Sequence, residues 1–220
     1  MSSKKLAQHK DRSPEQTKTA LIDAAGFLFA KKGYDGTSVK DIADKANVNI
    51  SLVSYHFGGK EGLYRACLEP FVEEKMKFFE RDILRPTSKE DFRFRLRLFI
   101  EEVIKSDLDQ PEMGCILHRD SDLEDPIVMD IFKKTIAKLF NQFIGFIKSA
   151  QDAGFIRNDI KAENICMIFM GGINHTIRKD ALRKKLYGIS IRDEKHRKEF
   201  IDTAIEMLFH GLEPVERNNK

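Results

Sequence analysis

Tryptophan is absent from this 220-residue chain, and cysteine occurs only three times, at Cys67, Cys115 and Cys166. Three cysteines so far apart cannot build a disulfide framework or a zinc knuckle, and their odd number leaves at least one unpaired within the chain. A reducing, cytoplasmic setting is the expectation. Long apolar runs are missing as well: the longest, Ile165 to Ile173, has nine residues, against the roughly 20 needed to cross a bilayer. The basic start, Lys4 to Arg12, is followed by no apolar stretch, so neither a secretory leader nor a membrane partner is expected and the chain reads as soluble. Sustained apolar–polar alternation is lacking too, which leaves no candidate strand. Nor is one sign of charge in large excess: 38 Lys and Arg against 35 Asp and Glu give +3, which excludes a histone-like tail or an acidic solvating segment.

What remains is helical, and its charge is unevenly placed. Residues 1–65 carry eleven Lys and Arg against seven Asp and Glu, whereas the remainder is nearly balanced. Proline and glycine punctuation divides the chain into nine predicted helices, giving an all-α fold. After a basic arm over residues 1–13, Ser13-Pro14-Glu15 supplies an N-cap, a proline at the first helical position and an acid in the first turn. That first helix is expected over 14–32, with Leu21, Ala24, Ala25, Leu28 and Phe29 on one face and Gly33 as its left-handed C-terminal cap. Further helices are predicted to about 45, from 49 to 57, 60–84, 88–108, 115–121, 126–153, 162–185 and 193–212, with a frayed tail beyond.

Two short helices joined by a tight turn can brace one helix across a phosphate backbone and place the other in the major groove. Residues 38–57 have that form, with Val39, Ile42, Ala43, Val48, Val53 and Phe57 at buried positions and Asn47 where a left-handed turn residue is tolerated. Gly33-Tyr34, Thr37-Ser38-Val39, Asp41-Ile42-Ala43, Val48 and the run from Tyr55 to Tyr64 together resemble the tetracycline-repressor (TetR) family of bacterial transcription regulators. The resemblance implies an N-terminal helix-turn-helix DNA-binding domain over 14–60, a ligand-binding and dimerisation domain over 61–213, and a tail over 214–220. Asn47 replaces the glycine common in the turn, and Ser54 stands where many relatives carry an aromatic residue. Operator preference is therefore not transferable, although the roles are.

By that resemblance and by their chemistry, Thr37 and Ser38 are expected to hydrogen-bond phosphate at the start of the second helix, with His56 and Lys60 gripping phosphates beyond the third. Asn49, Ser51, Leu52, Ser54 and Tyr55 are the candidates for base edges, by hydrogen bonding or by contact with a thymine methyl. A lysine at a helix N-terminus opposes the macrodipole, and a nearby phosphate would offset that. The arm cations Lys4, Lys5, Lys10 and Arg12, with His9, can enter a minor groove or remain a solvated tail.

Within the segment 162–185, Ile165 to Ile173 is apolar around most of its circumference, and Ile201, Ile205, Leu208 and Leu212 form a stripe on the last helix. The resemblance implies a four-helix homodimer interface from these two segments, with Ile168, Gly171, Gly172, Ile201, Ile205 and Leu208 in it. A twofold dimer also doubles the readout of a palindromic operator on double-stranded DNA. Phe78, Phe99, Phe140 and Phe143 are candidates to line a pocket for an apolar or amphipathic small-molecule effector, although phenylalanine at helical spacing also builds core. A ligand among the middle helices would act by moving the helix that begins at Lys60. No cofactor and no catalytic residue is expected, since no Walker loop, dinucleotide fingerprint, nucleophile elbow or zinc-protease motif is present. The stretch His118 to Asp125 matches no metal-site spacing. A repressor released by its ligand is the reading; the alternatives are a helical binding protein without specific DNA recognition, or a redox- or metal-responsive regulator.

Overall fold

The computed structural model describes residues 12–120 and 125–212. They form eleven α-helices and no strand: α1 (Pro14–Lys32), α2 (Val39–Ala46), α3 (Ser51–Phe57), α4 (Lys60–Asp82), α5 (Lys89–Asp109), α6 (Pro111–Asp120), α7 (Pro126–Lys134), α8 (Ile136–Asp152), α9 (Ala162–Arg178), α10 (Asp180–Tyr187) and α11 (Glu194–Leu212). The expected nine become eleven because two predicted helices are each broken once. At Thr135, with φ −115° and ψ −74°, the buried hydroxyl donates to the Ile131 carbonyl at 2.6 Å. Such back-bonding distorts the helical ladder and closes α7. At Lys179, with φ −97° and ψ 11°, the following Asp180 turns its buried carboxylate to the Ser190 hydroxyl and the Ile191 N–H at 2.7 and 2.8 Å. α6 also begins four residues earlier than expected, because Pro111 opens the helix, where its missing N–H costs nothing.

The described chain divides into two compact units. The first extends to Glu74 and includes Gln110–Ala137, so it is larger than the predicted 14–60 segment. The two short helices α2 and α3 leave part of the apolar surface of α1 for α6 to cover. α1 packs on both α2 and α6, and Gly26 on α1 lies against the Met113 methyl. Leu21, Ala25, Phe29, Ile42, Val53, Leu63, Tyr64, Leu68, Ile116 and Val128 are buried in this unit. Phe29, Tyr34 and Tyr64 pack ring on ring, with centroids 5.0 to 5.9 Å apart.

The second unit holds Lys75–Asp109 and the residues from Lys138 onward. Its core draws Phe79 from α4 and Ile83 from just beyond its end, Phe92, Leu96, Phe99, Ile100 and Ile104 from α5, and Phe143, Phe146 and Ile147 from α8. Ile165, Cys166, Phe169 and Ile173 of α9 and Ile201, Ile205 and Phe209 of α11 complete it. α5 packs on α11 and α9, and the Arg97–Asp202 and Arg93–Glu206 ion pairs tie α5 to α11. Ile201 and Ile205, expected at a dimer interface, are instead buried within the protomer, Ile205 completely. Their stripe on α11 is the face that α5 covers.

Candidate nucleic-acid interface

The turn from α1 to α2 is closed by glycine and by a buried hydroxyl. Gly33 takes φ 76° and ψ 174°, a glycine conformation other than the left-handed helical one expected of it, and a Cβ on Gly36 would stand 2.4 Å from the Lys32 carbonyl oxygen, so only glycine fits there. Thr37 is 1% exposed; its Oγ1 lies 2.8 Å from the Gly33 carbonyl and 3.2 Å from that of Leu28. The expected phosphate contact by the Thr37 side chain is therefore corrected: it is a lock on the turn. Ser38 next to it is exposed and caps α2, accepting from the Asp41 N–H at 3.0 Å while the Asp41 carboxylate accepts from the Ser38 N–H at 3.4 Å. Asp41 also takes the Lys32 ammonium at 3.2 Å. That hydrogen bond, with those from Ser38, holds the carboxyl below its usual range.

Between α2 and α3, Asn47 adopts φ 54°, ψ 52°, the one left-handed non-glycine among the described residues. Asparagine bears this conformation at little steric cost. The Arg12 guanidinium donates to the Ala46 carbonyl at 2.8 Å, satisfying an orphan acceptor at the C-terminus of α2. Lys4, Lys5, His9 and Lys10 lie outside the described residues. α3 is started by Asn49, whose Oδ1 accepts from the Ser51 N–H at 2.9 Å and from the Ser51 hydroxyl at 2.8 Å. The amide donors of Asn49 and the acceptor lone pairs of Ser51 stay uncommitted by that turn.

Val53 anchors α3 inward, Leu52, His56 and Phe57 are half-buried, and Ser51, Ser54 and Tyr55 are exposed. Tyr55 is 80% exposed, its ring braced edge-on against His56 at 4.9 Å. Gly58 and Gly59, with φ 72° and 125°, turn the chain into α4, and a Cβ on Gly62 would lie 1.8 Å from the Phe57 carbonyl oxygen. Lys60 at the start of α4 sits over the Tyr34 ring, its ammonium 4.0 Å from the centroid. The macrodipole repulsion is thus offset locally by a cation–π contact, which needs no phosphate. Burial, followed by the nearby acids Asp125, Glu61 and Asp35, raises the Tyr34 hydroxyl above its usual pKa.

The first unit therefore exposes hydroxyl, amide, phenol and imidazole groups on and around one short helix. No carboxylate occurs between Asp44 and Glu61. A surface with donors, acceptors and no anion is what a polyanionic duplex requires. One residue the sequence reading passed over is Ile50, half exposed at the start of α3; an aliphatic residue three positions before Val53 looks like core on a helical wheel.

Residues 21–67, which hold most of α1 through the start of α4, match the family described as bacterial regulatory proteins, tetR family. Over 217 residues the chain is 22% identical to the HTH-type transcriptional regulator RutR of Escherichia coli K12, covering 96% of this chain and 97% of RutR. The chain is thus similar to regulators of the TetR family. It is also 27% identical over 122 residues to the probable HTH-type transcriptional regulator YttP of Bacillus subtilis, a match that covers 56% of this chain and 58% of YttP, less than two thirds of that relative's length. Its fold is similar to that of the transcriptional regulator FadR from Bacillus subtilis, solved in complex with stearoyl-CoA, with a TM-score of 0.69 over 88% of this chain and 98% of that one at 16% identity. Over nearly its whole length the chain is therefore similar to a protein named as a transcriptional regulator.

In the second unit, Phe99 and Phe143 are buried and stacked with centroids 4.1 Å apart, while Phe78 and Phe140 pack half-buried against the same core. Of the residues expected at a dimer interface, Ile168 is 77% exposed, Gly171 and Gly172 are exposed, and Leu208 is half-buried. Met167 and Met207 are exposed as well. The stretch Ile165 to Ile173 of α9, apolar on most sides, does not tell which half meets its own core. Burial pushes the Cys67 and Cys166 thiols up to about 12 and about 11, which keeps both protonated and unreactive near neutrality. Cys115 is exposed. Among the described residues no group of three His, Cys, Asp or Glu is placed to hold a metal; the side chains of His118 to Glu124 lie outside them. No described helix is long and apolar enough to cross a membrane.

Proposed function

We propose that this chain is a cytoplasmic, non-catalytic repressor that binds a palindromic operator as a homodimer and is released by an apolar or amphipathic small molecule. The observation that carries the reading is the carboxylate-free exposed face of α3, headed by Tyr55. On it, Asn49, Ser51, Leu52, Ser54 and Tyr55 read base edges while Ser38, His56 and Lys60 hold phosphate, Lys60 reaching over Tyr34. Residues 14–60 serve DNA recognition, and 61–213 serve ligand binding and dimerisation.

The exposure of three large apolar side chains on two helices, Met167 and Ile168 on α9 and Met207 on α11, supports a second copy as the partner of α9 and α11. The phenylalanine-rich core of the second unit suits an apolar ligand, and the FadR structure was solved with stearoyl-CoA. α4 carries Lys60 at one end and Phe78 and Phe79 near the other. A ligand that repacks those phenylalanines biases the position of α4 and, through it, the spacing of two recognition helices. The ligand weakens DNA binding only by its differential affinity for the two spacings, and DNA weakens ligand binding by the same factor.

The test is a salt titration of binding to DNA upstream of the protein's own gene, with competitor DNA present, for the wild type and Tyr55→Ala. Specific binding that survives competitor near physiological salt and falls roughly 10- to 100-fold in the variant is the expected result. Equal binding to unrelated DNA, lost with modest salt in both proteins, overturns the reading.

A further inference from the structure

We propose that Ile50 reads the 5-methyl group of a thymine in the operator's major groove, an inference that rests on the DNA-binding reading above. Ile50 holds the N-cap position of α3 with φ −56° and ψ −32° and makes no side-chain cap hydrogen bond. Helix starts favour polar residues there, because a side-chain oxygen can satisfy an orphan N–H. Here that task is done by its neighbour: Asn49 Oδ1 accepts both the N–H and the hydroxyl of Ser51. The Ile50 side chain is thereby released from capping.

It is not core either. Ile50 is 50% exposed, whereas Val53 on the next turn is fully buried and anchors the helix. A branched aliphatic group thus stands in solvent at the leading end of a helix whose exposed side chains Ser51, Ser54 and Tyr55 all carry hydrogen-bonding groups. An isoleucine can make nothing of the nitrogen and oxygen atoms that guanine, cytosine and adenine present in the major groove. The thymine methyl is the one apolar group on those edges, and burying a methyl against a methyl removes both from water. Cytosine in the same place would set a desolvated amino group against the aliphatic chain, so the contact discriminates as well as attracts.

Operators are selected from a random duplex pool with the wild-type protein, and each thymine of the selected half-site is then replaced singly by deoxyuridine. That exchange deletes the methyl and leaves the base-pairing groups in place. One such replacement is expected to weaken wild-type binding about 3- to 5-fold per half-site, the worth of one buried methyl. Ile50→Ala is expected to bind the thymine operator with a similar loss and to be indifferent to that same uracil, while Ile50→Val keeps part of the sensitivity. Because the side chain is exposed, unchanged helical circular dichroism shows that the variants fold. Ile50→Ala that binds as the wild type does, or that loses affinity while every uracil effect persists, overturns the proposal. A wild-type protein that selects no sequence from the pool overturns the DNA-binding reading itself, an outcome distinct from the other two.

Discussion

At Thr37 and Lys60 the identity of a side chain was readable from the sequence and its direction was not. Threonine beside an N-cap serine suits phosphate binding and turn-locking equally, and only the carbonyls of Gly33 and Leu28 converging on its hydroxyl decide for the second. Asn47 is the contrary case, because a turn between two amphipathic segments demands a left-handed residue wherever the rest of the chain goes. The cysteines carry a prediction at this scale. At pH 8 a disulfide reagent should modify one thiol per native chain rapidly, Cys115, and three after unfolding; a second fast thiol in the native protein would contradict the burial of Cys67 and Cys166. A native Cys67 thiol near 12, against an ordinary value near 9, stays protonated while the unfolded chain ionises. Its contribution to stability is therefore complete below about pH 9 and is lost as pH rises towards 12. Denaturant midpoints measured from pH 8 to 10.5 should fall more steeply for the wild type than for Cys67→Ala.

Helix ends set by glycine, proline and polar caps were legible, because the signal is local: α1 begins and ends where Ser13-Pro14 and Gly33 require. The two breaks were not. Thr135 and Lys179 lie in sequences that continue their helical period, and at the breaks the Thr135 hydroxyl bonds the Ile131 carbonyl and Asp180 holds the 190–191 loop. Asp180 is the more consequential. Asp180→Ala leaves the buried Ser190 hydroxyl and Ile191 N–H without their acceptor and should cost about 2–4 kcal/mol in urea unfolding. Asp180→Asn, which retains an amide oxygen, should cost less. Equal stability of Asp180→Ala and wild type would show that the 190–191 loop is held by other means.

For the molecule as a whole, the decisive question is which apolar surface each helix keeps for itself. Ile205 and Ile168 are both isoleucines at helical spacing, yet one is fully buried in the protomer and the other is 77% exposed. In the proposed homodimer, Ile168→Glu should leave the protomer's helical content and melting behaviour nearly unchanged while weakening dimerisation by roughly 100-fold or more, since two uncompensated charges would be buried at a twofold contact. Sedimentation of the variant as a monomer where the wild type is a dimer would show this, with operator affinity falling in parallel. A variant that stays dimeric at the same concentration would place the interface elsewhere. Ile205→Glu should instead unfold the second unit.

By itself the sequence determined the all-α class, the α2–turn–α3 motif and the anion-free run from Lys45 to Lys60, because periodicity, caps and charge are properties of neighbouring residues. The tertiary structure decided the rest: that α6 and α7 complete the first unit, that Thr37 faces inward, that Ile50 faces solvent, and that the stripe on α11 belongs to the protomer core. Each of these depends on which distant segment arrives to cover a face, and an apolar face records only that it is to be covered, not by what.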